Sequence, residues 1–107
     1  MATILVVEDE GSIRTFIERT LKHLGHSTVC CETLGEAQDV YDPEAFALVI
    51  SDIHLGRDNA TQWVLQLRDQ TPVITISGKA EVPGVENLQK PFSMLILREK
   101  VRRLLPT

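Results

Sequence analysis

No run of apolar residues in this 107-residue chain approaches the ~20 needed to cross a membrane as a helix. The N-terminus also lacks the charged, then apolar, then small-residue order of a secretory signal. These absences lead to the expectation of a cytoplasmic protein with no membrane partner. Cysteine is scarce. The two that occur, Cys30 and Cys31, are adjacent in the strand-like stretch STVCC, so their side chains point to opposite faces and cannot easily bond each other or share a metal. They read as reduced packing residues. Clustered basic charge is missing as well, and a net charge of -4 argues against nucleic acid as a partner, because phosphate binding needs grouped cations. The nearest approach to a group, Arg98, Lys100, Arg102 and Arg103, reads as the solvated face of a final helix. What remains, 43% hydrophobic and 24% charged residues, is the composition of an ordinary globular domain, and the length suits one hydrophobic core.

What the chain does have is alternation between two kinds of segment. Residues 3–7, TILVV, form a β-branched apolar run that predicts a buried strand. From Ile13 the apolar residues fall at Phe16, Ile17, Leu21 and Leu24, which is helical spacing, and Gly25 supplies the stop. A weaker strand is expected at 27–31. Thr33 followed by Glu36 has the spacing of a capping box opening a helix toward Tyr41. Residues 46–51 read as a third strand, and 60–68 as a helix with Trp63, Val64 and Leu67 on one face, where Trp63 is a packing residue. A fourth strand is expected at 72–76, a weak fifth at 85–88, and a last helix at 93–105. Strands apolar on both faces, alternating with helices, predict an α/β fold with a parallel sheet covered on each side.

In such a sheet, ligands bind at the carboxyl ends of the strands. The first strand ends in Glu8-Asp9, the third in Asp52, the fourth in Ser77 and the fifth in Lys90. Taken alone, Asp52 is more often a turn or helix cap than a nucleophile, Ser77 an ordinary strand-end hydroxyl, and Lys90 a solvated lysine. Together they bring three carboxylates, a hydroxyl and an ammonium to one edge. Crowded carboxylates repel unless a cation is present, and hard oxygen ligands suit Mg²⁺. A carboxylate beside Mg²⁺ can attack phosphorus while a lysine neutralises the transferring oxygens. His23 and His26 have no third ligand at a sensible spacing and are not read as a metal site.

The stretches Val6-Val7-Glu8-Asp9-Glu10, Ser51-Asp52, Ile76-Ser77-Gly78 and Gln89-Lys90-Pro91-Phe92 together resemble the receiver domain of two-component response regulators, the CheY-like family. The resemblance spans the whole chain. It implies one receiver domain over residues 1–107 and a flavodoxin-like, doubly wound five-stranded parallel sheet of order 2-1-3-4-5. It also implies that Asp52 is the phosphoacceptor for a sensor histidine kinase or a histidine phosphotransfer protein. On that pattern Asp9 is the main metal ligand for Mg²⁺, joined by Asp52. Glu8 acts largely through metal-bound water, and His54 contributes its backbone carbonyl, so that its imidazole need not matter. Ser77 is the switch hydroxyl, Lys90 the phosphate-pairing cation, and Lys90-Pro91 a cis peptide. A stand-alone receiver, monomeric or weakly dimeric, would act on a separate downstream protein or serve as a phosphate sink.

Three departures from the family's pattern stand out. Gly56 occupies the place of a common proline and Ala60 that of a glycine, so the polar loop 56–59 is expected to be mobile. Only twelve residues, GKAEVPGVENLQ, separate Ser77 from Lys90, where the family holds a full fourth helix. With Pro83 and two glycines, residues 78–84 have room for about two turns at ~3.6 residues each, which predicts a shortened or disordered helix or a loop. The usual switch aromatic, three residues before the lysine, is Asn87. Two other readings are a Mg²⁺-dependent phosphohydrolase with an aspartyl nucleophile and a degenerate receiver that only binds partners. The first would want a second aspartate where His54 stands and a cap domain.

Overall fold

Five residues without a charge, TILVV, open the sheet as β1 (Thr3–Val7). The computed structural model describes residues 2–79 and 81–105; Met1, Ala80, Pro106 and Thr107, all within the expected domain, lie outside the described residues. Helix α1 (Gly11–His23) follows and stops where expected. Gly25, at φ +89°, takes a conformation that costs L side chains. This lets the Gly25 N–H reach Lys22 O at 2.9 Å and the His26 N–H reach Leu21 O at 3.0 Å, a Schellman closure. Strand β2 (Ser27–Cys31) leads into α2 (Leu34–Val40), whose N-cap Thr33 accepts from the Glu36 N–H at 3.1 Å, half of the expected capping box.

Strand β3 (Leu48–Asp52) begins two residues later than the sequence pattern suggests. Phe46 is buried but belongs to the preceding turn, its N–H bonded to Asp42 O and its ring stacked on Tyr41 at 6.5 Å. After Asp52, where a mobile polar loop is expected, the chain folds into a small antiparallel hairpin of β4 (His54–Leu55) and β5 (Asp58–Asn59). Its turn puts Gly56 at φ +63° with Arg57 outside the left-handed region, the pattern of a two-residue hairpin turn. Buried Leu55 and Ala60 fasten the hairpin at its two ends. Then come α3 (Thr61–Leu67), β6 (Val73–Ser77), β7 (Glu86–Gln89) and α4 (Met94–Leu104), the last capped by Ser93.

The main sheet is parallel with order β2-β1-β3-β6-β7, which is the expected 2-1-3-4-5 once the hairpin is set aside. Strand alternation sorts its side chains into two cores. Ile4, Val6, Leu48, Ile50, Ile74 and Ile76 pack with Ile17 and Leu21 of α1 and with Leu97 and Val101 of α4. Leu5, Val7, Val49 and Val73 face the other way, toward Ala37 of α2 and Trp63, Val64 and Leu67 of α3. Each fully buried aliphatic side chain removes apolar area worth about 1.5–3 kcal/mol, so burial of both faces accounts for strands that show no polar alternation. Cys30 and Cys31 fall on opposite faces, and Trp63 packs edge-on against Tyr41.

Between Ser77 and Glu86 no helix forms among the described residues. The connection crosses the sheet face as a strap, held by buried Val82, by Arg68 Nη1 donating to Pro83 O at 2.9 Å, and by a turn in which Val85 N–H meets Val82 O. No helix among the described residues is long and apolar enough to cross a membrane.

Candidate functional site

The strand ends converge because the sheet is parallel and in register. Val7 lies opposite Ser51, Asp52 opposite Ile76, and Ser77 opposite Gln89. Glu8, Asp52, Ser77 and Lys90 therefore reach the same edge. Alternation divides them. Glu8, Asp52 and Lys90 continue the series Ile4-Val6, Leu48-Ile50 and Leu88 on the α1/α4 face, while Ser77 continues Val73 on the other.

Asp52 is 4% exposed. Its Oδ1 accepts from the His54 N–H at 3.1 Å and its Oδ2 from Lys90 Nζ at 3.0 Å. Glu8 is fully buried; its Oε2 accepts from the Glu10 N–H at 3.0 Å, and its backbone carbonyl from Arg14 Nη1 at 2.8 Å. Lys90 Nζ lies 3.3 Å from Glu8 Oε1, within ion-pair reach but without hydrogen-bond geometry, which leaves that buried oxygen with no hydrogen-bond partner among the described residues. Asp9 is exposed and its Oδ2 accepts from the Gly56 N–H at 3.3 Å, so the hairpin turn seats the third carboxylate. Glu8, Asp9 and Asp52 each offer an oxygen within 4.8 Å of the others.

One ammonium among three carboxylates leaves excess negative charge, and Glu8 registers it. Burial, reinforced by the charge of Asp52 and by Asp9, outweighs the Glu10 amide and Lys90 and pushes Glu8 up to about 7. For Lys90, burial works against the ammonium, yet its hydrogen bond to Asp52 and the charge of Glu8 hold it above its ordinary value. Three hard oxygen donors, one of them an orphaned buried oxygen, fit a small divalent cation such as Mg²⁺.

Of the expected site residues, Glu8, Asp9, Asp52 and Lys90 thus meet in one cluster, and His54 joins through its amide. The Ser77 hydroxyl is turned elsewhere. It donates to Lys79 O and lies 3.3 Å from Asn87 Oδ1. The Lys90-Pro91 peptide is cis. Two contacts escaped sequence reasoning. His54 Nε2 meets Glu81 Oε2 at 2.9 Å, which joins the hairpin to the strap, and Asn87 Oδ1 also accepts from Thr75 Oγ1 at 2.8 Å. The second was within reach of the sequence, because a polar residue in a strand next to a Thr-x-Ser strand invites cross-strand bonding. The first was not, since it spans two connections with no regular geometry. Beside Lys90, Ser12, Ile13, Phe16, Pro91 and Phe92 line a largely apolar groove of about 360 Å³.

Comparison with known proteins places these features in context. The family described as "Response regulator receiver domain" matches residues 4–102. A chemotaxis protein CheY homolog of Campylobacter jejuni is 33% identical over 120 aligned positions, covering 97% of this chain and 92% of that protein. The alignment is longer than this chain, so the relative carries residues with no counterpart here. The transcriptional regulatory protein YxdJ of Bacillus subtilis is 30% identical across 95% of this chain, which spans only 49% of that protein. Among solved structures, the non-phosphorylated HemR receiver domain of Leptospira biflexa superposes with a TM-score of 0.87 at 22% identity, covering 100% of this chain and 96% of that one. At that identity the likeness speaks for the fold.

Proposed function

Because the chain belongs to the response regulator receiver family, we propose that it is the phosphorylation-controlled switch of a two-component system, with Asp52 as the phosphoryl acceptor. Receiver domains are signalling domains rather than enzymes in the usual sense. The observation that carries the assignment is the nearly buried Asp52 carboxylate bonded to Lys90 and gathered with Glu8 and Asp9. A sensor histidine kinase or a histidine phosphotransfer protein is the proposed donor, and the apolar groove beside Lys90 supports docking of such a protein. In the transfer, a bond forms from an Asp52 oxygen to phosphorus as the bond to the donor's imidazole nitrogen breaks, and that nitrogen keeps the electron pair.

Asp9, Asp52, Glu8 and the backbone carbonyl of His54 are the proposed holders of Mg²⁺, which when bound neutralises charge on the phosphoryl oxygens. Lys90 supplies a second, permanent positive charge at the acceptor, and Ser77 a hydroxyl for a phosphoryl oxygen. The new group adds about 1.5 to 2 negative charges. Drawing Ser77 and Lys90 toward it biases the strap at residues 78–84, which a downstream protein then reads.

The test is intact mass after incubation with an acyl phosphate, with and without Mg²⁺, for the wild type and Asp52→Asn. One phosphoryl group gained only when both Mg²⁺ and Asp52 are present is the expected result. Uptake that persists in Asp52→Asn refutes the site. No uptake at all, with Mg²⁺ binding verified separately, points to a partner-binding domain that has lost the switch.

A further inference from the structure

The Ser77 hydroxyl has one proton and two acceptors near it, Lys79 O and Asn87 Oδ1, and neither belongs to the carboxylate cluster. Asn87 is not a loose neighbour. It sits opposite Thr75 in the β6–β7 register, and Thr75 Oγ1, itself buried, donates to Asn87 Oδ1 at 2.8 Å. That bond fixes the amide so that the same oxygen lies 3.3 Å from Ser77 Oγ, one step diagonally along the sheet. A hydroxyl that donates to this oxygen or to Lys79 O cannot donate to a phosphoryl oxygen on Asp52 at the same time.

We propose that Asn87 is a positioning residue for the switch hydroxyl: held by Thr75, its side-chain carbonyl joins Lys79 O as a second acceptor on the side away from Asp52, and so helps keep the Ser77 O–H turned away until a phosphoryl oxygen competes for it. This rests on Asp52 as phosphoacceptor. It differs from a rotating buried ring, because what changes hands is a proton donor. Asn87 raises the cost of the activated arrangement, and removing its acceptor favours that arrangement.

The probe is beryllofluoride in the presence of Mg²⁺, a stable mimic of the phosphoryl group, with binding followed by NMR. Replacing Asn87 by Ala removes one neutral hydrogen bond from the resting state, so tighter binding by about two- to tenfold is expected. Asn87→Val, which suits a strand better, gives the same direction and guards against misfolding. In a Ser77→Ala background, Asn87→Ala should make no further difference, whereas damage to packing would persist there. In the resting protein, with no beryllofluoride, Ser77→Ala and Thr75→Val should each shift the Asn87 side-chain amide resonances. Unchanged amide resonances, or equal beryllofluoride affinity in the wild type and both Asn87 variants, overturn the proposal and leave Asp52 untouched. Failure of the wild type to bind the mimic overturns the functional reading and takes this inference with it.

Discussion

Raising the pH from 4.5 to 7 in the presence of a chelator should destabilise the folded protein through Glu8 alone. The carboxyl moves from its ordinary value of 4.5 to about 7 on folding, because it is buried beside Asp52 and Asp9. Below 4.5 the group is protonated in both states and brings no charge into the core. As pH rises, the unfolded chain releases the proton first, so stability is lost progressively until the folded group also ionises near 7. With about 1.4 kcal/mol per pKa unit, the loss is on the order of 3 kcal/mol, undiminished by solvent because the side chain is fully buried. At ~2.1 cal/mol/K per residue the unfolding entropy of a chain this long makes that roughly a 10–15 °C fall in Tm. The assay is thermal unfolding of the wild type and Glu8→Gln from pH 4 to 8, read as the difference between them so that other titrating groups cancel. The wild type should lose ground to Glu8→Gln across that window, and millimolar Mg²⁺ should flatten the loss by stabilising the carboxylate. A difference that stays constant with pH would refute the reasoning, since it would mean that Glu8 is ionised at its ordinary pKa.

Glu86 should behave in the opposite sense. Hydrogen bonds from Lys100 and Arg103 hold its carboxyl below the ordinary value, so its contribution is present above that value and fades as pH falls through the folded one; the Tm difference between the wild type and Glu86→Gln should shrink on acidification below about pH 4. Gly25→Ala forces an L side chain into φ +89° at the end of α1 and should cost about 1 kcal/mol, visible as a drop of a few degrees in Tm. Val82→Asp should lift the strap from the sheet, because it puts a charge where a side chain is 2% exposed. Hydrogen exchange across residues 78–84 should accelerate while β1 and β3 stay protected.

The parallel sheet was readable from the sequence because its three central strands are buried almost throughout. TILVV and VITIS carry no competing signal, and burial on both faces is a strong reason for such runs. The acidic cluster was readable for the same reason, since a parallel sheet brings strand ends together whatever lies between them. Boundaries drifted where burial and strand pairing part company, as at Phe46, which is buried but held in a turn. The hairpin after Asp52 was missed because its strands are two residues each, too short to show a period. The orientation of Ser77 was missed for a subtler reason. Strand-end convergence says which residues reach the edge, while alternation decides on which side of the sheet each one stands.

That side explains why the short connection and Asn87 belong together. Along one cross-strand row the residues run Cys31, Val7, Ser51, Thr75, Asn87, all on the face covered by α2 and α3. The row is apolar at Cys31 and Val7 and polar at Ser51, Thr75 and Asn87. Ser51 Oγ donates to Asp52 O, Thr75 Oγ1 to Asn87 Oδ1, and Ser77 Oγ to Lys79 O, so the buried hydroxyls are satisfied by the backbone and by the Asn87 amide, as buried polar groups must be. Among the described residues of the strap, Val82 is buried in this core and Val85 packs against it. The Asn87 amide fits among these hydroxyls, its Oδ1 2.8 Å from Thr75 Oγ1 and 3.3 Å from Ser77 Oγ. The helix-free connection among the described residues and the polar Asn87 therefore suit the same sheet face.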